Sequence, residues 1–184
     1  MKVLRFCLSF FFFFGQIAYS ASFISVGMGN TNFKSDVLTE NSENDQSNRE
    51  GDLLSLHFGY FLTNALCFEL GYLESTLETY DLNPTLNWKQ EGNLKISTVG
   101  FRYFSYEFLN IIMGMSKVAY QPQITSSDAL SEYTLGQSND TAPYYGIGFG
   151  LTFKKWQIFY DTRVFELPRS KDLKVYNWGV RVFF

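Results

Sequence analysis

His57 is the only histidine in the 184-residue chain, so imidazole acid–base chemistry would have to run through this one side chain. The charged residues placed to accompany it are Glu69, Asp161, Arg102, Arg163 and Arg181, each on the small or polar phase of a segment that alternates with large apolar residues. A hydrolase triad also needs a nucleophile presented by a recognisable turn, and no such motif accompanies His57. One histidine excludes a multi-histidine metal site, and no EF-hand spacing occurs. Gly146-Ile147-Gly148-Phe149-Gly150 has glycines at alternate positions but opens no helix, so it reads as packing and not as a nucleotide loop. No catalysis, metal or cofactor is expected. Three arginines facing two carboxylates suit mutual pairing instead, because an unpaired ion in a poorly hydrated interior is costly. The six residues therefore read as a structural plug of salt bridges lining one interior face.

That face has to be made by strands. Successive strand residues point to opposite sides, and period two is what recurs along this chain. Tyr145, Ile147, Phe149, Leu151 and Phe153 alternate with Tyr144, Gly146, Gly148, Gly150 and Thr152. Leu54, Leu56, Phe58 and Tyr60 alternate with Leu53, Ser55, His57 and Gly59, and Leu66, Phe68, Leu70 and Tyr72 with Cys67, Glu69 and Gly71. The remaining strands are expected at 22–32, 95–104, 109–120, 156–165 and 173–184. Two places break the pattern: Phe23 falls on the small-residue face, and Ile96 and Ser97 look exchanged. A bulge or a later strand start is the expected cause.

Eight strands of about ten residues each match the length that a tilted strand needs to cross an outer membrane. Connections alternate in length. Short links are expected at 61–64, 105–108 and 154–155, and long polar ones at 33–50, 73–93, 121–142 and 166–172. The expected fold is all-β, an eight-stranded antiparallel up-and-down transmembrane β-barrel, with short turns and both termini in the periplasm. A soluble barrel would alternate too, but its outer face would be rich in charge. Here the second phase is mostly Gly, Ser, Asn and Thr, which suits a narrow interior, while the apolar phase carries bulky residues suited to lipid. Tyr60, Tyr72, Tyr103, Tyr120, Tyr145, Trp156, Tyr160 and Trp178 lie where interfacial aromatic girdles are expected.

The N-terminus fits export. Met1 to Arg5 is a short basic region, Phe6 to Phe14 an apolar core too short to span a bilayer, and Ala18-Tyr19-Ser20 a cleavage site. Residues 1–20 are expected to be a signal peptide and residues 21–184 the barrel. Cleavage removes Cys7, so Cys67 is left without a disulfide partner. With 15 basic against 18 acidic residues and no basic cluster, nucleic acid is not an expected partner.

The segment Gly59-Tyr60-Phe61-Leu62-Thr63-Asn64-Ala65-Leu66-Cys67-Phe68-Glu69-Leu70-Gly71-Tyr72 resembles the hairpin joining the second and third strands of the OmpA-type transmembrane domain. Val99 to Tyr103 and Tyr145 to Gly150 are similar to its fourth and sixth strands. The resemblance implies that Glu69 forms lumenal salt bridges, with Arg102 and Arg181 as candidate partners. The ending resembles the C-terminal signal of bacterial outer-membrane proteins, in which Tyr176, Trp178, Val180, Val182 and Phe184 would face lipid and be read by the assembly machinery. Without a periplasmic peptidoglycan-binding domain, the expectation is a stand-alone small barrel of the OmpX or OmpW kind, in the outer membrane of a Gram-negative cell.

Fold alone does not select a function. The expected one is a non-enzymatic integral outer-membrane protein, monomeric, in contact with outer-membrane lipid and lipopolysaccharide, whose loops serve surface interaction, adhesion or envelope integrity. Asp36, Glu40, Glu43, Asp45 and Glu50, then Glu74, Glu78, Asp81 and Glu91, make the first two long loops acidic. Charged loops are usually just solvated; the functional alternative is binding calcium, alone or shared with lipopolysaccharide phosphates, or docking a basic or host ligand. The alternative for the whole chain is a narrow pore for ions or small solutes.

Overall fold

Period-two segments bounded by turn residues satisfy their backbone groups by pairing with neighbours, and here pairing closes on itself. In a computed structural model that describes residues 22–34, 48–79, 88–106, 108–126, 132–134, 138–168 and 173–184, the strands are β1 (Ser22–Lys34), β2 (Asn48–Phe61), β3 (Leu66–Thr79), β4 (Trp88–Phe104), β5 (Leu109–Ser126), β6 (Glu132–Thr134), β7 (Ser138–Phe153), β8 (Trp156–Phe165) and β9 (Leu173–Phe183). The order β4-β3-β2-β1-β9-β8-β7-β5 is completed by pairing of β4 with β5, so eight strands form a closed antiparallel barrel. The three-residue β6 pairs only with the far end of β5. Residues 1–21, with the expected signal peptide and its cleavage site, lie outside the described residues, as do Asp36, Glu40, Glu43, Asp45 and Asp81.

Two of the three short links, 105–108 and 154–155, fall where the sequence places them, and the first lies one residue later, at 62–65. In the β2–β3 turn, Leu62 and Thr63 donate backbone N–H groups to the Leu66 carbonyl at 2.8 and 3.1 Å, and the Thr63 hydroxyl accepts from Leu66 N at 2.9 Å. Lys154 and Lys155 form a two-residue turn between β7 and β8. At the same end the termini pair: Ser22 N donates to Phe184 O at 3.1 Å and Phe184 N to Ser22 O at 3.0 Å.

At the opposite end the strands run on well past the expected stops. The links expected at 33–50, 73–93 and 121–142 are partly strand, because β1, β2, β3, β4, β5 and β7 continue into them. The ladder between β4 and β5 extends to Trp88↔Ser126, and Leu73–Thr79 alone rises by ~15 Å along the barrel axis at the usual strand rise and tilt. What changes along the way is the apolar phase. In the lower part of β3, Leu70 and Tyr72 face outward and Glu69 is buried; above Tyr72, Leu73 and Leu77 are buried while Glu74 and Thr76 are exposed. In β4, Leu94 and Ile96 are buried with Asn93, Lys95 and Ser97 exposed, whereas below them Val99 and Phe101 are exposed and Arg102 is buried.

The outer surface is thus apolar below, where lipid replaces water, and polar above, where the barrel stands in water and packs apolar side chains inward as a soluble β-protein does. This corrects the reading of Ile96 and Ser97: the register from Leu66↔Tyr103 to Thr79↔Gln90 is continuous, with no bulge. Phe23 also needs no bulge, since β1 pairs without interruption from Ser22↔Tyr60 to Lys34↔Asn48. Tyr120, expected at the girdle, instead packs against the upper interior. Tyr60, Tyr72, Tyr145, Trp156, Tyr160 and Trp178 are exposed on the outside.

Inside, three layers are stacked. At the short-turn end, Phe23, Cys67, Phe104 and Phe183 are buried together with Phe61 against them, the Phe61 and Phe104 rings 5.5 Å apart. At the far end Leu53, Leu73, Leu77, Leu94, Ile96, Phe165 and Val175 belong to a second apolar cluster. The ionisable residues lie between.

Candidate functional site

Each charged side chain of the middle layer comes from a different strand except Asp161 and Arg163, which share β8 two residues apart and so point the same way. His57 is on β2, Glu69 on β3, Arg102 on β4 and Arg181 on β9, and all six are buried. Glycine makes room for them. A Cβ at Gly148 would strike Asp161 and Asn110, and one at Gly71 would strike His57 and Thr98.

Arg102 organises the layer. Its Nε donates to Glu69 Oε2 at 2.6 Å, while Nη1 and Nη2 take both oxygens of Asp161 at 3.0 and 2.7 Å; Nη1 also reaches Asn110 Oδ1 at 2.5 Å. This bidentate geometry is the strong form of an arginine–carboxylate pair. Arg163 Nη2 meets Glu69 Oε1 at 3.0 Å, Asp161 Oδ2 at 3.3 Å and His57 Nε2 at 3.4 Å. His57 Nδ1 lies 3.6 Å from Glu69 Oε1, an ion-pair separation beyond hydrogen-bond reach. The partners of Glu69 are therefore Arg102 and Arg163. Arg181, the second partner implied by the OmpA-type resemblance, lies instead 3.7 Å from Asp161 Oδ2 and donates to Gln157 Oε1.

With two carboxylates already shared between Arg102 and Arg163, Arg181 is held largely by aromatic faces. Its guanidinium carbon sits 4.7 Å from the Phe159 ring centre, 4.8 Å from Phe23 and 5.6 Å from Phe104, distances at which the ring quadrupole attracts a cation. Asn110, Gln157 and these three rings complete the layer, and the sequence reading did not include them. The signal that could have found one of them was Phe23 itself, a large aromatic on the phase reserved for small residues.

The arrangement sets charge against opposite charge. His57 is enclosed at 1% exposure, and Ser25, its cross-strand neighbour, carries a hydroxyl that is hydrogen-bonded to no protein group. No base–nucleophile pair forms there. Among the described residues, no group of three or more His, Cys, Asp or Glu side chains is placed to hold a metal ion. Trp178 and Phe184 are more than half exposed, Tyr176 is exposed, and Val180 and Val182 on the same face are partly covered.

A closed eight-stranded barrel, apolar outside, charge-paired inside and joined by short turns at one end, is a small transmembrane β-barrel of the outer-membrane class. The solved structures similar to it have the same architecture. The attachment invasion locus protein Ail of Yersinia pestis superposes with a TM-score of 0.64 at 14% identity, over 90% of this chain and 99% of that one. A major outer membrane protein of Thermus thermophilus gives 0.56 at 13% identity over 89% and 100%, and Neisserial surface protein A gives 0.52 at 14% over 91% and 99%. At these identities the likeness is one of fold. No protein-family model matches the chain, and no curated protein sequence does.

Proposed function

We propose that this chain is an integral outer-membrane protein without enzymatic activity, a closed barrel that carries acidic loops above the lipid for surface interaction or envelope integrity. The observation that carries the reading is the filled lumen: an aromatic plug, a paired-charge layer and an apolar upper cluster succeed one another along the axis. Buried side chains at all three levels, among the described residues, favour a plugged lumen over the narrow pore. His57 is itself buried within it.

The working surface is then the outside. The upper outward face presents Asp52, Asn93 and Glu74, the last 3.6 Å from the exposed Lys95, and register places Glu50, Glu78 and Glu91 on adjacent strands, Glu50↔Glu78 and Glu78↔Glu91. Together with the acidic loop residues, this favours a cationic partner, or an anionic one reached through calcium. Planar-bilayer recording tests the closed lumen: no stepped conductance is expected, and reproducible openings abolished by Glu69→Gln would favour the pore. Ail has been solved with the heparin analogue sucrose octasulfate. In titration calorimetry at low salt with calcium chelated, the acidic surface proposed here should give no binding of that polyanion, and saturable binding there would overturn the charge assignment. Cleavage before Ala21, recognition of the Tyr176–Phe184 face by the assembly machinery and a monomeric state belong to the same proposal. N-terminal sequencing of the protein recovered from membranes tests the first of these.

A further inference from the structure

The turn between β7 and β8 combines an unusual backbone with an unusual composition. Lys154 has φ of 55°, in the left-handed region, where a side chain other than Gly, Asn or Asp is disfavoured. Glycine or asparagine would fill the position at little cost, and what lysine adds there is a charge. Lys155 follows it, also exposed, its carbonyl fixed by Phe183 N at 2.8 Å. Among the described residues of the three short turns, these two lysines are the only charged ones. They are flanked by Phe153 and Trp156, paired across the hairpin and exposed at 59% and 56%, which continue the lipid-facing belt down to the turn. A pair of ammonium groups on flexible stems, directly below two membrane-facing rings, stands at the depth where lipid phosphates lie.

We propose that Lys154 and Lys155, with Phe153 and Trp156, form a binding site for the headgroup of an anionic phospholipid in the periplasmic leaflet. The rings pack on the upper acyl chains and the lysines meet the phosphate. This rests on the outer-membrane reading of the barrel, which a heat-modifiable gel shift of the refolded protein checks separately.

The test uses Trp156 as reporter. The chain with Trp88→Phe and Trp178→Phe is folded into vesicles of phosphatidylcholine, and quenching is compared for brominated phosphatidylcholine and brominated phosphatidylglycerol. Phosphatidylglycerol is expected to be preferred at Trp156 by about fivefold per lysine at low salt, with the preference fading as salt is raised. Lys154→Asn with Lys155→Gln keeps a residue that tolerates the turn and should abolish the preference while the gel shift persists. A chain retaining only Trp178, which lies higher on the belt, should show none. Equal quenching by the two lipids at Trp156, or a preference that survives the double substitution or high salt, would overturn the site. A variant that loses the gel shift is replaced by Lys155→Gln alone, for which half of the effect on a logarithmic scale is expected.

Discussion

Glu69 pairs with two guanidinium groups, and Asp161 has three within 3.7 Å, so the layer holds three arginines against two carboxylates. Losing either carboxylate deepens that imbalance and losing an arginine relieves it. Glu69→Gln strips the anion from both Arg102 and Arg163 and is expected to cost about 3–5 kcal/mol, the usual penalty for an uncompensated buried charge. Arg181→Met removes the surplus cation and leaves an aliphatic stem among Phe23, Phe104 and Phe159, so its cost should be no more than about 1–2 kcal/mol, the scale of the cation–π contact given up. Urea unfolding of the two variants in phospholipid vesicles decides the matter, and losses of equal size would show that the charge count does not govern this layer. The ionisable residues were legible in the sequence because each sits on the small phase of an alternating run. Which residue meets which was not legible: Arg102 reaches Asn110, Asp161 and Glu69 through barrel closure and strand stagger, neither of which alternation encodes.

At the scale of the strand, the decisive feature is the change of apolar phase between the lipid belt and the part in water. Alternation identifies all eight barrel strands but stops several of them early, because above Tyr72 the pattern reverses and the chain from Leu73 on reads as a loop. Leu73 and Leu77 were the residues that should have kept the strand going, two apolar side chains in register with Glu69 on the interior face. Ile96 and Ser97 mark the same reversal in β4, and a continuous ladder that starts earlier, at Trp88, accounts for them in place of the expected bulge or later strand start. A set of arginine substitutions along the outward face of β4 makes the boundary measurable. Phe101→Arg and Val99→Arg are expected to cost about 2–4 kcal/mol of folding stability in bilayers, the depth-dependent penalty of a cation facing lipid, and Asn93→Arg about 0–1 kcal/mol. A uniform cost along the strand would mean that the polar upper part is also immersed.

For the whole molecule, closure of the barrel and a filled lumen make the fold independent of the loops it carries. Lys34 and Asn48 are direct cross-strand partners, so the ends of the first long link already stand at hairpin separation. Replacing residues 35–47 by Asn-Gly, the dipeptide suited to a two-residue hairpin, should therefore give a barrel that still shows the folded-against-boiled gel shift. Shortening the link changes the closure entropy by only ~1–2 kcal/mol, in the favourable direction. The replacement removes Asp36, Glu40, Glu43 and Asp45 together. Stability and surface interaction should consequently separate: the trimmed protein is expected to melt at or above the temperature of the full chain, while a deletion strain complemented with it keeps the adhesion or envelope defect of the uncomplemented strain. Rescue as complete as that given by the full chain would assign the function elsewhere, to the second acidic link or to the outward face of β2–β4. Failure of the trimmed chain to fold would instead show that the loop takes part in building the barrel, contrary to a lumen whose three layers are made by the strands.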